Sequence, residues 1–159
     1  SKSYFPEALY KYGCNDEAYK CLMELLSPTL KRREYPEVSY AAIGSIAAGM
    51  MGIKPNSQYK LVETVSRLTS DVEWAAIKYL PVFKNEITVE HNGSYESALT
   101  SITGAPVLWK AMFKGDFDAV MFNCMEVKTK KEIGLDGQTY SYVKIKVDSN
   151  EKCTARVKI

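Results

Sequence analysis

Ile87-Thr88-Val89-Glu90-His91-Asn92-Gly93-Ser94-Tyr95-Glu96-Ser97-Ala98-Leu99 is the stretch that decides the fold. Ile87, Val89 and His91 alternate with Thr88 and Glu90, the period of two that a half-buried strand requires. Asn92-Gly93 then turns the chain, because a two-residue hairpin turn needs positive φ and Asn-Gly accepts it. Residues 95–103 form the returning strand.

The same alternation extends outward from about Leu61 to Ile159. Val62, Thr64, Ser66 and Leu68 suggest a first strand, with a short helix as the alternative, and residues 74–79 a second strand that ends at Pro81. Downstream, Gly104-Ala105-Pro106 leads into 107–113, and Lys114-Gly115-Asp116 into 119–123. A longer hairpin joins 126–133 to 140–147 around Asp136-Gly137, and 153–159 is the last strand. About eight short strands at this spacing predict an antiparallel β-sandwich.

Before about Ile53 the apolar period is helical. Residues 4–12 read as a helix, with Pro6 in its first turn and Gly13 as the left-handed residue after its end. Asn15 or Asp16 caps a second helix that ends near Ser27-Pro28 and buries Ala18, Cys21, Leu22, Leu25 and Leu26. Pro36 opens a third, with Glu37 where the helix dipole favours negative charge. Residues 38–51 are almost free of charge and rich in Ala, Gly and Ser. A helix apolar on every side is enclosed by protein, and two short helices are too few to enclose it. The expected cover is the remainder of a parent polypeptide or a second copy of this chain. Gly52 ends the helix, and Pro55-Asn56 makes the next turn. The fold class is therefore α+β: a helical segment at 1–58 that is incomplete by itself, then a sandwich at 59–159.

Composition narrows the partners. The 159 residues carry a net charge of +2, with basic residues scattered among acidic ones, which excludes the footprint of a nucleic-acid binder. Lys128, Lys130 and Lys131 are flanked by Glu126 and Glu132 and read as a solvated hairpin tip. No apolar run reaches the roughly 18 residues of a membrane span. The chain opens at Ser1-Lys2-Ser3 with no initiator Met, and no charged-then-apolar leader follows. Four cysteines without a CxxC pair and one histidine give no metal pattern and imply no cofactor. Free, buried thiols are expected, with a Cys124–Cys153 disulfide as the alternative.

Two stretches carry a resemblance. Arg33-Glu34-Tyr35-Pro36-Glu37-Val38-Ser39-Tyr40 runs into the small-residue helix and Met50-Met51-Gly52-Ile53-Lys54-Pro55. Trp74-Ala75-Ala76-Ile77-Lys78-Tyr79-Leu80-Pro81-Val82 precedes the strand Ile87-Thr88-Val89-Glu90-His91. Their order resembles the C-terminal end of six-hairpin glycosidases, where an (α/α)6 toroid finishes with an inner helix and a β-sandwich packs against it. The resemblance implies carbohydrate processing in a secreted or periplasmic setting, with two carboxylates acting as general acid and base. It departs from that family in helix number, so catalysis by this chain alone is not expected.

The resemblance implies Glu37 and Glu34 as catalytic carboxylates, since toroid pockets are lined by loops feeding the inner helices. The plainer reading has Glu37 complementing the helix dipole and Glu34 pairing with Arg32 or Arg33. Tyr35 and Tyr40 are candidates for stacking on a sugar. Trp74, the more open of two tryptophans, is a candidate sugar contact or a plug between helices and sandwich. Trp109 shares a face with Val107, Ala111 and Phe113 and belongs to the core. His91 is placed in surface or edge packing at a sheet end, because no Ser or Cys motif accompanies it. Asn92-Gly93-Ser94 matches a glycosylation sequon that the hairpin already explains. The competing function is a saccharide-binding or purely structural sandwich that assembles through its helices.

Overall fold

A computed structural model describes residues 5–26 and 42–158. Helices α1 (Phe5–Lys11) and α2 (Asn15–Leu26) form the expected hairpin, with Gly13 at φ 83° between them. Tyr10, Ala18, Leu22 and Leu25 are buried. Helical turns beginning at residue 42 run into α3 (Ser45–Met50). Bonding there widens to i→i+5, and the Met51 N–H donates to the Ile46 carbonyl at 2.8 Å. The part of this helix expected at 36–41 lies outside the described residues.

Eleven strands follow: β1 (Lys54–Asn56), β2 (Leu61–Val65), β3 (Trp74–Val82), β4 (Asn85–Asn92), β5 (Glu96–Thr103), β6 (Val107–Lys114), β7 (Ala119–Phe122), β8 (Met125–Lys128), β9 (Lys130–Ile133), β10 (Thr139–Val147) and β11 (Lys152–Val157). One sheet has the order β1-β2-β6-β10-β9, the other β3-β4-β5-β11-β7-β8. Every pairing is antiparallel except β2 with β6, which is parallel. The inward residues of both sheets meet in one core. Val107, Trp109, Ala111, Phe113, Val143 and Ile145 come from the first sheet, and Ile87, Val89, Leu99, Val120, Cys153 and Ala155 from the second. The α+β sandwich read from alternation is thus the observed class.

Five local readings are corrected. Pro55 and Asn56 lie in strand β1 rather than in a turn. Pro81 does not end β3, because β3 is an edge strand and its missing N–H breaks no ladder. The stretch 126–133 is not one strand: β8 pairs with β7 and β9 with β10, so the chain changes sheets at Thr129. Buried Thr129 anchors the switch, its N–H donating to Asp118 and its hydroxyl to the Phe117 carbonyl. Lys128, Lys130 and Lys131 therefore flank a sheet switch instead of capping a hairpin, and Lys131 pairs with Asp116 at 3.0 Å. Of the cysteines, Cys153 is buried whereas Cys14 and Cys124 are exposed, and no disulfide joins the described residues.

Part of the cover of α3 comes from within the chain. Gly49 packs against Tyr10 of α1, and Ile46 and Met51 join the sandwich core. Between 42 and 51 only Ile43 is exposed. The end of the sandwich adds to the cover that the two helices give, and Gly44, Ile46, Ala47, Ala48 and Met50 stay partly accessible.

Candidate functional site

The joint between helices and sandwich is polar. A helix ends with carbonyls that lack intrahelical donors, and a cation there also complements the dipole. Arg67, just past β2, donates to the Ala48 and Gly49 carbonyls at 3.1 and 2.8 Å. Its own N–H donates to the Met50 carbonyl. His91 supplies the next contact. It faces inward on β4 opposite Ser97 of β5, and is only 2% exposed. Its Nε2 lies 2.8 Å from the Met51 carbonyl and its Nδ1 2.7 Å from the Ser97 hydroxyl. A carbonyl can only accept, so Nε2 carries the proton and Nδ1 accepts from Ser97. Burial pushes the imidazole down to about 4; the Met51 bond opposes this and the nearby Arg67 charge adds to it. The surface or edge position expected for His91 is therefore wrong: its ring is the interior link between the sandwich and the end of α3.

Beside the joint is a concavity of about 510 Å³ whose lining includes Arg67, Glu63, Glu132, Met112 and Tyr140. Its two carboxylates are bound to one ammonium. Lys110 lies 3.2 Å from Glu63, bonds Glu132, and sits 4.4 Å from the Tyr142 ring centre. Burial alone would lower the Lys110 ammonium, and the two glutamates outweigh it and leave it raised. This cluster fastens β2, β6 and β9 together and leaves no separate acid and base.

The second concavity, about 390 Å³, lies on the outer face of the second sheet. Strand register builds it. Alternation turns Trp74, Ala76 and Lys78 outward from β3, while Ala75 and Ile77 pack on the core. Pairing sets Ala76 beside Glu90, Glu90 beside Ala98, and Ala98 beside Thr154, giving a central row of mostly small side chains. One flanking row begins Trp74–Asn92–Glu96, and Lys152 stands on the other side. Lys152 pairs with Glu90 at 3.0 Å, and Asn92 donates to Glu96 at 3.4 Å. Trp74 is 68% exposed. It does not plug the joint; it stands at the edge of this trough.

Of the residues assigned to a saccharide from the sequence, Trp74 alone lies among the described residues. Glu34, Glu37, Tyr35 and Tyr40 lie outside the described residues. Trp109 is fully buried, as its face predicted, with its indole N–H on the Thr64 hydroxyl at 2.8 Å. Sequence reading missed Glu90 and Lys152 as partners; only the β4–β5–β11 register, invisible without strand order, brings them together. Among the described residues, no helix is long and apolar enough to cross a membrane.

No protein-family signature matches the chain, and no curated protein matches it. Solved structures do. A chain described as a kojibiose phosphorylase from the human microbiome aligns over 95% of this chain and 20% of its own, at TM-score 0.52 and 11% identity. A β-L-arabinofuranosidase from Geobacillus stearothermophilus T6 aligns over 76% of this chain and 18% of its own, at TM-score 0.40 and 11% identity. The chain spans about a fifth of the length of each. At such identity the first likeness shows the fold alone: helices and sandwich together follow an arrangement found in that structure.

Proposed function

We propose that this chain is the C-terminal portion of a glycoside-hydrolase-like, carbohydrate-processing protein, with 1–58 closing a helical toroid and 59–159 bracing it. One observation carries the reading. The helical hairpin, α3 and both sheets align as a unit, over 95% of the chain, with part of the kojibiose phosphorylase. The polar joint supports it, since Arg67 and His91 tie α3 to the sandwich. Glu34 and Glu37 are the carboxylates this reading assigns to the saccharide, with Tyr35 and Tyr40 beside them. A pocket made by one helical layer is incomplete, so this portion has little or no turnover by itself.

The test is saturation-transfer NMR on the folded chain with kojibiose and a panel of neutral oligosaccharides, alongside nucleotide and peptide controls. Turnover is assayed in parallel, with and without inorganic phosphate. Contact with saccharides alone and no turnover are expected. A folded chain that contacts no saccharide would sink the proposal.

A further inference from the structure

We propose that the trough on the outer face of the second sheet is a binding site for a neutral oligosaccharide, with Trp74 as its aromatic contact and the Glu90–Lys152 pair as its hydrogen-bonding wall. The ligand class rests on the carbohydrate reading above, which this site deepens. The geometry of the trough is independent of that reading.

Three features define the ligand. The first is shape. The central row crosses β3, β4, β5 and β11, three inter-strand spacings or about 14 Å, which suits a short chain of rings better than one. Ala76, Ala98 and Thr154 keep the floor low on β3, β5 and β11, Glu90 rises from it on β4 beside Lys152, and Trp74 and Lys78 stand at the β3 side. The second is chemistry. An indole offers an apolar face at little entropic cost, and an apolar ring face fits it. Beside it, Glu90, Lys152, Asn92 and Glu96 offer both donors and acceptors, which hydroxyl groups need. Already joined in pairs, they are partly ordered before a ligand arrives, which lowers the ordering cost of binding. The third is charge. Lys78 and Lys152 balance Glu90 and Glu96, so the trough favours neither sign. A nucleic acid needs a positive groove, and an acidic glycan would meet two carboxylates.

A peptide adding to the edge of β3 is the competing occupant. Several features blunt that edge. Pro81 removes one donor, and a bulge between Ile77 and Leu80 puts Tyr79 at φ 56° and interrupts the ladder.

Tryptophan fluorescence isolates the site, because Trp109 is fully buried in the core and Trp74 is exposed. The whole chain is titrated with a linear neutral trisaccharide, an acidic trisaccharide and an extended decapeptide. A saturable fluorescence change with the neutral trisaccharide is expected in the wild-type chain; read by saturation-transfer NMR, which needs no indole reporter, binding should weaken about tenfold or more in Trp74→Ala and be largely restored in Trp74→Tyr. Lys152→Met, which leaves the indole in place, should weaken binding several-fold. Trp74 and Lys152 are both exposed, so circular dichroism should show all three variants folded. Undiminished saccharide contact in Trp74→Ala would overturn the trough and leave the carbohydrate reading standing. Saturation by the decapeptide or the acidic glycan alone would overturn the ligand class. Absence of saccharide contact in the wild-type chain would overturn both.

Discussion

Lowering the pH should loosen this protein through one residue. His91 is the only histidine in the chain, and its ring is buried against Met51, Ser97 and the Arg67 charge. In the folded chain it protonates at about 4; unfolded, it protonates near the ordinary 6.5. The folded form therefore favours the neutral ring. Its contribution is complete above about pH 6.5, and it is lost as the pH falls through 6.5 toward 4, because only the unfolded chain binds the proton. Each tenfold difference in proton affinity between the two states is worth about 1.4 kcal/mol, so the full loss is about 3 kcal/mol, and roughly 2 kcal/mol has gone by pH 5. That is a large share of the 5–15 kcal/mol on which a typical domain stands. The cost comes from burial more than from a broken bond. Protonated, the ring still donates to Met51, and the Ser97 hydroxyl can rotate to accept from Nδ1.

The assay is urea unfolding at pH 7, 6 and 5, where ordinary carboxylates have barely begun to titrate. Wild type should lose about 2 kcal/mol across that range, while His91→Gln should start less stable and lose little. An NMR titration of the ring should put its midpoint well below 6. An equal loss in His91→Gln would refute the reasoning, and so would a ring that titrates near 6.5 in the folded chain.

Other consequences follow from single contacts. Thr64→Val should cost about 1–3 kcal/mol in urea unfolding, since it strands the Trp109 indole N–H in a fully buried site. Thr64→Ser keeps the bond and should cost about 1 kcal/mol, the burial of one methyl; equal losses in the two variants would argue against the bond. Gly52→Ala should cost about 3 kcal/mol or more. Gly52 has φ 60°, and an added methyl would collide with the Val65 carbonyl. A melting temperature unchanged by that substitution would disprove the close approach. Thiol labelling at pH 8 should modify Cys14 and Cys124 quickly and Cys153 only on unfolding, since burial first and the Glu151 bond next push the Cys153 thiol up to about 12.

Elements that follow from local chemistry were legible in the sequence. The α1–α2 hairpin was set by Gly13, and β4–β5 was marked by Asn92-Gly93 between alternating runs, although Asn92 stays in β4 and residues 93–95 make the connection. The Asn15 cap was not borne out: Asn15 is the first residue of α2, and its side-chain oxygen has no hydrogen-bond partner. Trp109 was assigned correctly because a period of two fixes which face a residue shares. Features that depend on which strands meet were not legible. The sheet switch at Thr129 lies inside what reads as one continuous strand, and the β2–β6 pair is parallel with no local sign of it. His91 shows the limit best. Its inward phase was visible in the alternation beside Val89. Its partner, however, is a carbonyl 40 residues upstream, and backbone groups leave no mark on a sequence.

The two outer faces of the sandwich are built differently. On the first sheet, Lys110 gathers Glu63, Glu132 and the Tyr142 ring, and Tyr140 donates to Asp136, so long polar side chains are spent on one another and on the joint. The outer face of the second sheet has a different composition. Small residues flank Glu90 along its centre, and a tryptophan stands 68% exposed at its rim. Folding gains little from either choice, since an exposed indole contributes little burial and an alanine in a strand has poor propensity. A face that serves only as a solvated surface needs neither feature. Their combination fits a ligand that fills the trough, and the Trp74 titration decides whether that ligand is a saccharide.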